Sequence, residues 1–208
     1  APPVFEVPQR LMPHFTGREH LLARLHEQLQ QHRLVALWGL GGLGKTQSAV
    51  AYASMYRHYY PVVLWLAGDS AASFEQGLLE LWQPLAQAGR LHGATLDGRD
   101  PAAGRRQVLA YLSQATDYLL ICDNVDAPLA LRSVWPRSFG GQVLLTSRSQ
   151  EIRRLVGQVV EIEKLPLGQS RAYLTACHPP RGEFEQTALA ELAQELDGLP
   201  LALSQAAA

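Results

Sequence analysis

The chain has 208 residues, 47% of them apolar, which is enough to bury a core without disulfide staples and suits one α/β domain with a small satellite. A formal net charge of −1 and a pI of ≈ 6.7 exclude a global basic footprint for nucleic acid. No apolar run approaches the ~20 residues needed to span a bilayer, so neither direct nucleic-acid binding nor a membrane is expected.

The two cysteines, Cys122 and Cys177, lie far apart without metal-type spacing, and Cys122 sits inside the apolar run YLLIC. This usage fits a reducing, cytoplasmic setting. Seven scattered histidines argue against a metal held by protein ligands alone, and the basic pairs Arg105-Arg106 and Arg153-Arg154 read as solvated helix faces. No signal peptide is visible. The start at Ala1 and the end in SQAAA suggest a piece of a longer chain.

In chain order, APPVFEVPQRLMP (1–13) is proline-rich and reads as an extended arm or linker rather than an element. Residues 17–33 place Leu21, Leu22, Leu25 and Leu29 at helical spacing. RLVALWG is a short apolar run ending at glycine, a buried strand. A helix from Lys45 to about Tyr59 follows, stopped by Pro61, and VVLWLA (62–67) is a second strand. Residues 71–89 read as helix, 90–103 as a loop or insertion, and 104–115 as helix. YLLICDNVD, GGQVLLTSRS and GQVVEIEKL (157–165) supply three more strands. Apolar strands alternating with helices predict an α/β fold with a parallel sheet covered on both faces. Beyond Leu165-Pro166-Leu167 only helical segments remain: QSRAYLTAC, EFEQTALAELAQELDG and LPLALSQAAA. The expected division is an arm over 1–13, an α/β domain over 14–164 and a small helical domain over 165–208.

Between the first strand and its helix lies LWGLGGLGKT, in which Gly39-x-x-x-x-Gly44-Lys45-Thr46 satisfies the P-loop pattern in its proper strand–loop–helix context. Glycines let successive backbone N–H groups turn inward around phosphates, and the start of the following helix adds to the attraction. Lys45 can reach the β and γ phosphates, and the Thr46 hydroxyl can ligate magnesium. The binding segment covers Gly39, Gly41, Gly42, Leu43, Gly44, Lys45, Thr46 and Gln47.

Such a site needs an acid at a nearby strand end to hold the magnesium ion, partly through its water shell. LLICDNVD supplies Asp123 immediately after four apolar residues, a Walker B arrangement. The next residue is Asn124, which can orient a water but cannot accept its proton; Asp126 is a candidate substitute, or a loop or helix cap. Thr146-Ser147-Arg148 closes the strand QVLL. If that strand lies beside the P-loop strand, Arg148 can sense a third phosphate.

Four segments in this order resemble the NB-ARC branch of the STAND ATPases, the AAA+-related nucleotide-binding modules of plant resistance proteins, apoptotic scaffolds and many bacterial and fungal regulators. They are FTGRE (15–19), GLGGLGKT, LLICDNVD with LLTSR after it, and GLPLAL (198–203). The last is the most specific to the family. The resemblance spans residues 14 to 206. It implies a TSR strand between the Walker A and Walker B strands, and adenine held between the segment carrying Phe15, Thr16 and Arg18 and the proline of GLPLAL, Pro200. It also implies a switch in which ADP holds a closed resting state and ATP opens the protein for self-association, with effector and sensor domains elsewhere in the chain. The family continues into a winged-helix domain whose histidine contacts ADP, and this sequence does not include it. Asn124 in place of a second acid weakens the case for brisk hydrolysis.

The leading expectation is therefore an adenine-nucleotide switch, a slow ATPase using ATP or ADP with Mg2+, in which Lys45, Asp123, Asn124 and Arg148 act at the phosphates. A transcription regulator whose DNA-binding domain lies elsewhere is compatible with it. A catalytic P-loop phosphotransferase would need an arginine-rich lid and an acceptor pocket, and GLPLAL argues against it.

Overall fold

The computed structural model describes residues 1–91 and 100–208. The strands are β1 (Val4–Phe5), β2 (Leu34–Trp38), β3 (Val62–Ala67), β4 (Tyr118–Asp123), β5 (Gln142–Ser147) and β6 (Gln158–Glu161). They form one parallel sheet in the order β1-β3-β4-β5-β2-β6. The strand ending in Thr146-Ser147 thus lies between the strand that leads into the P-loop and the strand that ends in Asp123.

Both faces of the sheet are covered, which is why its strands read as continuous apolar runs rather than as an alternation. Leu120, Cys122, Val143 and Leu145 pack with Phe74, Leu78, Leu85, Val108 and Leu112 of α3 (Ala71–Glu80), α4 (Trp82–Gln87) and α5 (Pro101–Gln114). On the other face Leu119, Ile121 and Leu144 pack with Leu22, Leu25, Leu29, Ala49 and Tyr52 of α1 (Glu19–Gln31) and α2 (Lys45–Met55). The α1–α2 seam is also polar. His26 Nδ1 and Tyr52 Oη lie 3.1 Å apart, Tyr52 Oη and Tyr60 Oη 2.9 Å apart, and Tyr60 donates to Gln142 of β5. This chain ties the P-loop helix to the sheet, and burial pushes the Tyr52 phenol pKa up.

The chain ends in α6 (Leu167–Cys177), α7 (Glu183–Glu195) and α8 (Pro200–Ala206). These share a small core of their own, formed by Leu165, Leu174, Ala193 and Leu203.

Several local expectations change. The opening segment is extended, but Val4 and Phe5 pair with Val62 and Val63 as an edge strand rather than serving only as an arm. The helix expected to reach Tyr59 ends at Met55 and gives way to a 3-10 turn over Arg57–Tyr59. The helix expected over 71–89 divides at Leu81 into α3 and α4, because Pro84 has no N–H to give the Glu80 carbonyl. The expected loop over 90–103 falls mainly on 92–99, outside the described residues. Its last part is already helix: the Asp100 side chain accepts from the Ala102 N–H at 2.9 Å and Pro101 occupies the first turn, so α5 starts earlier than Gly104.

Candidate functional site

In a parallel sheet the carboxyl ends of all strands lie along one edge, where ligands of such folds bind. That edge here carries the P-loop after β2, Asp123 at the end of β4 and Arg148 just past β5. The loop conformation depends on glycine at two points: Gly42 and Gly44 have φ of +77° and +86°, in the left-handed region.

Lys45 opens α2 and is only 7% exposed. Its Nζ donates to the carbonyls of Gly39 and Leu40, each at 2.8 Å, so the side chain folds back across its own loop. Burial pulls its pKa down, opposed by the carboxylates of Asp126 and Asp123. The Thr46 hydroxyl donates to Asp123 at 2.9 and 3.1 Å, and the Thr146 hydroxyl donates to Asp123 Oδ1 at 2.5 Å. The Asn124 N–H in turn donates to Thr146 Oγ1 at 2.9 Å. Asn124 has a φ of +61°, a conformation that asparagine tolerates better than most residues. Its identity thus has a backbone reason beside any chemical one.

Two further segments close over the P-loop. On one side Arg18, 8% exposed, donates from Nη2 to the Leu43 carbonyl at 3.0 Å; burial lowers its pKa and Glu163 opposes this. Gln47 accepts the Met12 N–H at 2.8 Å, which fastens the preceding segment to α2. On the other side the Leu201 N–H donates to the Gly42 carbonyl at 3.1 Å. A Cβ added at Gly44 would meet Pro200 Cβ at 3.8 Å, and one at Gly42 would meet Leu201 Cβ at 3.2 Å. The Leu199 N-cap offers no side-chain acceptor, so a P-loop carbonyl satisfies one of the free N–H groups at the start of α8. Gly198 has a φ of +67°, and its carbonyl accepts the Leu165 N–H at 2.8 Å.

Together these segments enclose a cavity of ≈ 670 Å³, within the size range of small-ligand sites. Of the residues singled out in the sequence, Phe15, Thr16, Arg18, Gly41, Gly42, Leu43, Gly44, Lys45, Thr46, Gln47, Asn124, Asp126, Arg148 and Pro200 line it. Gly39 and Asp123 do not: Gly39 offers its carbonyl to Lys45, and Asp123 reaches the site through the Thr46 hydroxyl. Sequence reasoning missed Met12, Asp69, Leu165, Tyr173, Leu201, Leu203 and Ser204 as lining residues. Leu203 and Ser204 could have been found, since they follow Pro200 at helical spacing. Met12 and Tyr173 carry no such signal.

Arg148 is held by Asp126. Its backbone N–H donates to Asp126 Oδ1 at 2.6 Å and its Nε to Oδ2 at 2.7 Å. Among the described residues no group of three or more His, Cys, Asp or Glu is clustered to hold a metal by itself, and no helix is long and apolar enough to cross a membrane.

The NB-ARC domain family model matches residues 16–177. The chain is similar to a nucleotide-binding leucine-rich repeat-like protein of the fungus Hyaloscypha variabilis, with 29% identity over 98% of this chain and 23% of that protein. It is also similar to the regulatory protein AfsR of Streptomyces griseus, with 28% identity over 94% of this chain and 21% of that protein. The chain therefore spans about a quarter or less of the curated relatives it matches. Among solved structures it superposes on a Signal Transduction ATPase with Numerous Domains from Pyrococcus horikoshii that carries a tetratricopeptide repeat sensor. The TM-score is 0.63 at 18% identity, covering 97% of this chain and 30% of that one, a likeness of fold.

Proposed function

This chain belongs to the NB-ARC domain family of P-loop ATPase modules, and from that premise we propose that it is an adenine-nucleotide switch within a larger signalling protein, resting with ADP and self-associating with ATP. The observation that carries the reading is the direct seating of GLPLAL on the P-loop, through the Leu201 N–H and the Gly42 carbonyl, around one cavity that both segments line. A ligand there touches the α/β body and the terminal helices at once. It stabilises whichever arrangement of the two binds it better.

In this reading residues 14–164 and 165–208 act as two units, with 1–13 as an arm. The backbone N–H groups of the P-loop and Lys45 face the phosphates. The side chains of Phe15, Thr16 and Arg18 face Pro200 across the adenine. Thr46 and Asp123 suit magnesium: both offer hard oxygen atoms, they already share a hydrogen bond, and magnesium needs few protein ligands because it keeps waters and phosphate oxygens. Once bound, the ion would offset phosphate charge. Hydrolysis is slow, because Asn124 cannot take a proton from water, and the protein works in the cytoplasm with its effector and sensor domains outside residues 1–208. The likeness to a regulatory protein over 94% of the chain favours, as a second reading, a transcription regulator that uses the same switch.

Titration calorimetry with ADP, ATP, GDP and GTP, on the wild-type chain and on Lys45→Ala, tests this. The reading expects adenine nucleotides to bind more tightly than guanine nucleotides and Lys45→Ala to lose binding. Equal affinity for the guanine nucleotides would remove the adenine assignment.

A further inference from the structure

Asp126 lines the cavity, and the proposed function gives it no role. The backbone that carries it is held firmly: the Val125 N–H donates to the Thr146 carbonyl at 2.8 Å, the Ser147 hydroxyl donates to the Val125 carbonyl at 2.7 Å, and the Asp126 N–H donates to the Asn124 carbonyl at 2.8 Å. Arg148 is held from behind as well, since its carbonyl accepts the Trp38 indole N–H at 3.2 Å. Two rigid strand ends thus present a carboxylate and a guanidinium to each other. The contact is more than a single point, with the Arg148 N–H on Oδ1 and both Nε and Nη2 at 2.7 Å from Oδ2.

An ion pair whose guanidinium is 63% exposed and whose carboxylate is 26% exposed contributes little to the fold. Its geometry has a use in the cavity instead, which both residues line. The Arg148 stem runs beside the P-loop, where a Cβ added at Gly41 would lie 3.8 Å from its Cδ. Among the charges that act on Lys45, Asp126 is the strongest, ahead of Arg148 and Asp123. The P-loop end of the cavity therefore holds two cations, Lys45 and Arg148, with the Asp126 carboxylate beside them in the lining. Arg148 Nη1 makes no hydrogen bond among the described residues, so part of its donor fork is available while its charge is already matched.

We propose that Asp126 is the positioning residue that sets the preference between nucleoside diphosphate and triphosphate, by holding Arg148 as an ion pair that a third phosphate must compete for. The proposal rests on the nucleotide reading above. A diphosphate leaves the pair intact. A triphosphate gains Arg148 only by sharing it with, or taking it from, Asp126, and brings further negative charge towards that carboxylate. Asp126 thereby favours the diphosphate state through Arg148. With its carboxylate engaged by a guanidinium, Asp126 is also a poor stand-in for the general base missing at Asn124.

The test is titration calorimetry of ADP and of a non-hydrolysable ATP analogue, both with magnesium, on the wild type, Asp126→Asn, Arg148→Ala and the double variant. Asparagine keeps an acceptor for the Arg148 N–H and removes the competing charge. Asp126→Asn should shift the ratio of affinities towards the triphosphate by about tenfold, within the usual range of coupling between sites. The same substitution in the Arg148→Ala background should leave that ratio where Arg148→Ala alone puts it. The proposal is overturned if Asp126→Asn changes both affinities equally or weakens the triphosphate more. It is overturned too if the double variant keeps the full shift, since direct repulsion would then explain it without Arg148. Should Asp126→Asn fail to fold, Asp126→Ser, which also retains a short acceptor, is read by the same outcomes. Absence of both nucleotides from the wild-type site would instead remove the nucleotide reading, and this proposal with it.

Discussion

The P-loop end of the cavity is made of backbone and buried charge, whereas the wall that closes over it is made of side chains from segments that meet only in three dimensions. At the first end, left-handed glycines, the α2 N-terminus and the Lys45, Thr46 and Asp123 contacts all follow from a strand–loop–helix unit and a neighbouring strand end. At the second, Phe15, Tyr173, Pro200 and Leu203 come from the entry to α1, from α6 and from α8. A unit fixed by its own backbone is rigid whether or not a ligand is present. A wall assembled from three segments is the part that a ligand can hold or release. In the proposed reading, the first end recognises the phosphates and the second responds to them.

The sharpest way to break this division is at Lys45. Lys45→Ala removes a buried charge whose partners are loop carbonyls, and should cost about a hundredfold or more in nucleotide affinity while leaving α6–α8 folded. Calorimetry paired with circular dichroism would register both. Loss of helix on this substitution would mean that the two ends are not separable.

Gly198→Ala attacks the other end. Its left-handed φ and a Cβ that would lie 2.1 Å from the Leu165 carbonyl oxygen require the backbone to shift, at a cost of about 1–3 kcal/mol. A lower melting temperature and faster proteolysis within 165–208 are expected, with the P-loop helix unaffected. Asn124→Asp asks whether the first end lacks only a base. Turnover should rise by about tenfold, well short of the full effect of a general base, because the aspartate would still sit in a left-handed turn beside Asp123. The smallest effect belongs to Pro200→Ala, which loses contact beside Gly44 and a pre-set first helical turn. A loss of ~0.5–1 kcal/mol, seen as a few-fold weaker ADP binding, is expected.

The same contrast decides what could be read from the sequence. The sheet was legible because β2, β3, β4 and β5 are buried runs with no polar interruption, and the P-loop because its chemistry is local. The position of Arg148 followed from the family resemblance, but its pairing with Asp126, 22 residues away, did not. Nothing local announces an ion pair between two strand ends. Val4–Phe5 was hidden for a related reason: a two-residue strand in a proline-rich segment carries no period, and only the edge of β3 makes it a strand. Pro84 was visible, and its missing N–H marks the break one turn earlier at Glu80–Leu81 that the helical reading of 71–89 passed over. Tyr173 lines the cavity because α6 packs back against the entry to α1, where a Cβ added at Gly17 would meet the Gln169 side chain, a tertiary fact with no trace in its own neighbourhood.

The central claim is that nucleotide joins the P-loop to α8. Hydrogen exchange of the wild-type chain, followed over 39–47 and 198–206 with and without ADP or ATP, tests it most directly. The account predicts that either nucleotide slows exchange in both segments together, since the Leu201 N–H is bonded to the Gly42 carbonyl and both line one cavity. Protection confined to 39–47, with 198–206 exchanging as fast as without nucleotide, would contradict it.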